Sequence, residues 1–178
     1  MELRVSYSLF DNVENEIESG KAQIRLDKEN LSILPEFNNT IFSPLREIIK
    51  FEAREYKIFL SLLAGDKIVL SKLGYKFEDF LRVFSKMKNE LLLKDMLMYE
   101  SLKKSGVKAE LIHLNEKGDE QQKDECELRL YETAIVIIPE KNEITRIPFC
   151  DISNVRGEDY RIVLTVESGG TIIISSRI

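Results

Sequence analysis

The chain says the same thing twice. Residues 20–74 lie over residues 124–178 at a constant offset of 104 with no gap, and fourteen of the 55 positions are identical. Arg25 falls on Arg129, Pro35 on Pro139, Pro44 on Pro148, Ile48 on Ile152, Tyr56 on Tyr160 and Gly65 on Gly169. Ordinary composition would match about 6% of positions by chance. Apolar exchanges such as Ile24/Leu128, Leu31/Ile135, Leu62/Val166 and Leu70/Ile174 extend the pattern, and Leu3, Val5, Tyr7 and Phe10 continue it upstream over Val107, Ala109, Leu111 and Leu114. A period of this length is too long for a solenoid repeat, so the chain contains two copies of one small fold.

Each copy reads as strands. YKIFLSLLAGDKIVLS alternates apolar residues at Ile58, Leu60 and Leu62, breaks at Ala64-Gly65-Asp66 and resumes at Ile68 and Leu70, which predicts a hairpin; YRIVLTVESGGTIIIS repeats it. AQIRLDKENLSILP predicts a second hairpin turning at Asp27–Asn30 and ending near Pro35, which cannot donate to a ladder; its twin is CELRLYETAIVIIP. Residues 40–52 and 144–156 each add a strand with an internal proline, at an edge or a bend, and LRVSYSL and VKAELIHL add one more. The expectation is about six strands per copy. DNVENEIESG and the acidic NEKGDEQQKDE (Asn115–Glu125) read as matching flexible loops between strands.

From Tyr75 the period changes to that of a helix, with Phe77, Phe80, Leu81, Phe84, Met87 and Leu91 on one stripe. Copy two stops at Ile178, the position aligned with Gly74, so the equivalent helix is expected to be missing there and an apolar mouth to be exposed near Ile172, Ile174 and Ile178. The domain expectation is residues 1–102, with a closing helix over about 75–102, and residues 103–178, truncated before its helix.

Six or seven antiparallel strands followed by one amphipathic helix, with the phrase IPFCDISNV ahead of a hairpin, resembles the pleckstrin-homology-like (PH/GRAM-like) barrel. Two such units in tandem resemble the double PH-like domains of the FACT histone chaperone subunits and PH-like proteins of bacteria. The resemblance implies two tandem antiparallel β-barrels, mainly β with one long helix, the first closed by that helix and the second lacking it. It implies a non-catalytic protein-interaction role, as scaffold or adaptor. A membrane-surface or lipid-binding adaptor is the alternative, and a histone- or nucleic-acid-associated module ranks below it.

The charge balance bears on these choices. The net charge of −5 divides into about −2 over residues 1–100 and −3 over the rest, so neither half is a basic arm and no nucleic-acid partner is expected. The chain has no Trp, and the DKEN turn lacks the Lys/Arg cluster that phosphoinositide-binding relatives use. Arg46, Lys50, Arg54 and Lys57 are interleaved with Glu47, Glu52 and Glu55 and read as a solvated strand edge. Neither a signal peptide nor a membrane span is visible, which places the protein in the cytoplasm.

No catalytic motif, cofactor or metal site is expected. His113 is the only histidine, Cys126 and Cys150 lack metal spacing and read as buried thiols, and GxSxG, GxxxxGK[ST], HExxH and GxGxxG are absent. The candidate interaction surface is LLLKDMLM, where Leu92, Leu93, Met96, Leu97 and Met98 together with Leu91 wrap most of a helix circumference and must be buried on more than one side. A sheet edge is the other route to an unknown protein partner, and self-association through the open second barrel is expected.

Overall fold

The computed structural model describes residues 1–96 and 100–176. Its strands form two curled, seven-stranded antiparallel sheets, one per repeat. In the first, β1 (Glu2–Phe10), β2 (Glu16–Leu26), β3 (Asn30–Pro35), β4 (Ile41–Pro44), β5 (Ile48–Arg54), β6 (Lys57–Leu62) and β7 (Lys67–Ser71) are ordered 4-3-2-1-7-6-5. In the second, β8 (Leu102–Leu114), β9 (Glu120–Tyr131), β10 (Ala134–Pro139), β11 (Thr145–Pro148), β12 (Ile152–Glu158), β13 (Arg161–Val166) and β14 (Thr171–Ser176) repeat that order. The expected mainly β chain of two tandem barrel-like halves and one long helix is therefore present. Each half is an open barrel, with β4 and β5, or β11 and β12, as its edges.

The count is seven strands per copy, not six. Pro44 and Pro148 each end a strand, and a single 3-10 turn (Leu45–Glu47, Phe149–Asp151) bends the chain into the next. What read as one strand with an internal proline is two strands at a corner, because proline has no N–H to carry the ladder through.

The repeat holds at the level of single hydrogen bonds. Leu45 N–H donates to Glu29 O, Leu63 to Glu47 O and Glu36 to Lys21 O; 104 residues on, Phe149 donates to Thr133 O, Glu167 to Asp151 O and Glu140 to Glu125 O. The ladder irregularities also correspond, between Ile48 and Lys50 and between Ile152 and Asn154, and between Leu9 and Phe10 and between His113 and Leu114.

The two expected flexible loops are tight turns. Asp11 Oδ1 accepts from the N–H groups of Val13 (3.0 Å) and Asn15 (2.8 Å), and Asn15 Nδ2 donates to Asp11 Oδ2 at 3.1 Å. In copy two Asn115 Oδ1 accepts from Lys117 and Asp119, both at 2.9 Å, and Asn115 Nδ2 donates to Asp119 Oδ2 at 3.2 Å. Aspartate and asparagine have exchanged places with the bonds conserved. An Asx turn closed from both sides costs little to order, so β2 and β9 start at Glu16 and Glu120 despite their polar composition. Composition had suggested disorder; side-chain-to-backbone bonds overrule it.

The chain divides into two units, Met1–Asp95 with Lys141–Glu143, and Met96–Glu140 with Ile144–Ile178. In unit 1 a 3-10 turn (Gly74–Lys76) leads into α1 (Phe77–Met96). The predicted stripe faces inward. Phe77, Phe80, Leu81 and Phe84 share one core cluster with Ile24, Leu26, Leu31, Ile58 and Leu60, and Met87 and Leu91 pack at its margin. Phe84 meets Phe51 edge-on at 5.2 Å, Phe77 meets Tyr56 at 5.6 Å, and Arg46 forks onto Asp95 (Nε to Oδ2 2.8 Å, Nη2 to Oδ1 3.1 Å) at the helix end.

In unit 2 no α-helix follows the seventh strand among the described residues. Its core cluster of eight buried residues, Ala109, Leu111, Cys126, Ile137, Ile147, Leu164, Ile172 and Ile174, is far smaller than that of unit 1. Among the described residues no helix is long and apolar enough to cross a membrane.

Candidate interaction site

The site is defined by what unit 2 leaves uncovered. Ile58 is 0% exposed, whereas Ile162, at the equivalent place in the same hairpin, is 47% exposed. Leu26 and Leu130 differ in the same way, at 2% and 38%, as do Phe51 and Val155, at 5% and 60%. These first-copy residues belong to the cluster that α1 completes. The alternation of the strands is unchanged, so the second sheet still turns its apolar side chains inward, toward an opening that no helix covers among the described residues.

That opening contains an apolar groove of about 150 Å³. Val107, Leu128, Leu130, Ile135, Ile162, Leu164 and Ile174 line it, with Lys104 and Arg129 as the polar members and no carboxylate. Every apolar lining residue has a buried or half-buried counterpart in unit 1, Leu3, Ile24, Leu26, Leu31, Ile58, Leu60 and Leu70. The expected mouth therefore exists and Ile174 lines it, but the side chains exposed there are others. Ile172 and Ile174 are buried, because β14 lies between β8 and β13 in the middle of the sheet. Exposure falls on Leu130, Val155 and Ile162, and Ile178 lies outside the described residues.

Of the residues predicted from LLLKDMLM, Leu93 is buried, Leu92 is half-buried and Met96 is 52% exposed. Leu97 and Met98 lie outside the described residues.

The basic series does not form a face. Arg46 pairs with Asp95, Lys50 with Glu52, and Arg54 sits over the Phe59 ring at 4.4 Å from its centroid. Arg25 is paired with Glu2. Of the two thiols, Cys126 is buried, and desolvation, with Asp124 adding to it, pushes its pKa up to about 12, which keeps it protonated. Cys150 is exposed, contrary to the expectation, since the 3-10 turn after Pro148 sets it at the surface where copy one carries Arg46. His113 lines a separate cleft of unit 2 with Arg146, Asp151 and Ser168.

Unit 1 holds a buried polar group that the sequence reading did not name. Ser85, Lys88 and Asn89 lie on the inner face of α1, Lys88 at 2% exposure. Within the same unit Asn89 Nδ2 donates to Asn142 O at 2.8 Å and Glu143 Oε1 accepts from Phe51 N–H at 2.9 Å. Burial lowers the Lys88 pKa, against the pull of Glu143 and Asp95, and burial raises that of Glu143 against its bond from Phe51 and the charge of Lys88. The signal was available: steps of three and four from Leu81 and Phe84 reach 85 and 88, whatever residue stands there.

No family model matches the chain, and no curated protein does. Among solved structures it is similar to a chain described as "Structure of the Spt16D Pob3N heterodimer", at 15% identity, over 92% of this chain and 83% of that one, with a TM-score of 0.26.

Proposed function

We propose that this chain is a non-catalytic interaction module, a scaffold or adaptor built from two duplicated PH-like halves, whose working surface is the uncovered apolar face of unit 2. The carrying observation is the contrast at equivalent positions, above all Ile58 against Ile162. One sheet supplies its own cover and the other presents the same side chains to solvent. A contiguous apolar surface rimmed by polar groups marks an interaction site. Leu92 and Met96, near the end of α1, offer a smaller apolar surface for the same role.

The partner in this reading is a protein met in the cytoplasm. A membrane surface is disfavoured by the net charge of −5 and by the pairing of Arg25 and Arg46 with carboxylates. The test compares the parent with Ile162→Asp in affinity capture and in sedimentation with anionic vesicles. The proposal expects a recurrent protein that the substitution releases, with no vesicle binding. Vesicle binding that falls steeply with salt would replace it with the lipid reading.

A further inference from the structure

The cleft of unit 2 that His113 lines differs from its counterpart in unit 1 in a way the fold does not require. Leu9, Ile41 and Ala64 of the first copy stand as His113, Thr145 and Ser168 in the second. The ladder positions match: Leu9 lies opposite Ile68 as His113 lies opposite Ile172, and Ile41 opposite Ile33 as Thr145 opposite Ile137. In unit 1 Leu9 and Ile41 pack against the core. Unit 2 replaces that packing with polar groups, which together with Asp151 surround a cleft of about 210 Å³. We infer that this cleft binds a small neutral molecule carrying several hydroxyl groups, of the size of a monosaccharide. β14 starts at the cleft and leads away from it, so the site stands apart from the apolar groove and from whatever follows the last strand.

Among the described residues the side chains of His113, Thr145 and Ser168 have no hydrogen-bond partner, and the Asp151 carboxylate receives only the Cys150 thiol, at 3.6 Å. Gln122, across the ladder from His113 and so on the same face, has its amide nitrogen buried without a partner. Polar groups left unpaired in a sheltered site cost stability, and unit 1 shows that apolar ones fit there. The turn between β13 and β14 closes onto His113 through a second glycine. Gly170 has a φ of +99°, and a Cβ there would collide with the Leu114 carbonyl and lie 3.3 Å from His113 Nε2. Copy one has Asp66 at this place. Arg146 also lines the cleft, but its Nη2 donates to Glu100 and Thr133, at 3.5 and 3.2 Å, so its charge is already met. What remains is one acceptor-only carboxylate, with an imidazole and two hydroxyls that both donate and accept, a set that matches O–H groups. Ile147, in place of Ser43, supplies with Val166 and Ile172 aliphatic walls for a carbon ring. The volume exceeds that of an apolar cavity that holds benzene, so a hydroxylated six-membered ring fits with one edge toward solvent.

The intact ¹⁵N-labelled chain is titrated with glucose, galactose, mannose and N-acetylglucosamine, with lysine amide and inorganic phosphate as charged comparators. Saturable shifts of the His113, Ser168 and Gly169 amides with at least one sugar, and with neither comparator, are expected. Two variants sharpen the test. His113→Leu/Ser168→Ala installs the first copy's residues, and Thr145→Val removes one hydroxyl with little change of shape. Each is expected to weaken sugar binding roughly tenfold or more, while the melting temperature holds or rises, because the groups removed serve a ligand and not the fold. No saturable shift with any sugar, shifts with a charged comparator alone, or melting temperatures lowered by both variants overturns the proposal. Shifts confined to Leu130 and Ile162 overturn it too, by placing the sugar in the groove. None of these results decides the interaction surface proposed above, which Ile162→Asp tests separately.

Discussion

Ile58 and Ile162 are the same residue, in the same hairpin, in the same register, yet one is sealed and the other is half in water. The comparison separates two things usually read together from strand alternation: which side chains point inward, and whether anything waits for them there. The first is local and both copies solve it identically. The second depends on an element more than ten residues away in unit 1 and absent from the described part of unit 2.

The strongest way to break the contrast is to unseat the cover. Phe84→Ala, at a fully buried position, should cost about 3–5 kcal/mol. Urea denaturation followed by residue-resolved hydrogen exchange should show that loss in unit 1, with β13 and β14 keeping their protection; equal loss in both units would deny them separate cores. Next comes the matched pair itself. Ile58→Ala should cost about 2–5 kcal/mol and Ile162→Ala less than about 1.5, since a half-exposed side chain leaves no sealed cavity. Similar values would mean that Ile162 is covered in solution.

A third test asks where the copies should agree. Gly65 and Gly169 hold φ of +98° and +108° in equivalent turns, so alanine at either should cost about 1–2 kcal/mol. Melting temperatures that diverge strongly between the two variants would break the turn equivalence.

The smallest effect is one of pH. Glu143 has its pKa raised by burial above 4.5, so its contribution is fully present below that value and is lost as pH rises through the raised one. Glu143→Gln can still accept from Phe51 N–H and stays neutral, so its stability relative to the parent should improve from about pH 4.5 toward neutrality. Denaturation midpoints at stepped pH would show it, and a difference constant with pH would place Glu143 in solvent.

The strand pairs, their hairpin turns and the inward stripe of α1 were legible because each is written in local periodicity and turn chemistry. The repeat doubled that signal, and Pro44 and Pro148 marked the corners. What was not legible lay in cover and pairing. Ile172 and Ile162 alternate equally well; which of them is buried and which is half exposed is not written in the alternation. Lys88 looked like a surface lysine because its type outweighed its position on the stripe. Glu143 lies 55 positions beyond it, past the reach of any local pattern. Cys150 looked apolar by type and was placed outside by a turn. The acidic segment at Asn115 was misread for the opposite reason, since its polarity hid a self-satisfied Asx turn.

That pair of turns also records a history. Asp11 with Asn15, and Asn115 with Asp119, are one hydrogen-bonded pair with the acid on opposite sides. A lineage passing from one arrangement to the other by single replacements must cross a state with two acids or two amides. Two carboxylates about 3 Å apart cannot both ionise without repulsion. Two amides can, since an inverted amide offers oxygen to nitrogen. The ancestor of the two copies, or the bridge between them, is therefore expected to have carried asparagine at both positions, and Asp11→Asn in the first turn and Asp119→Asn in the second should be the mildest replacements there.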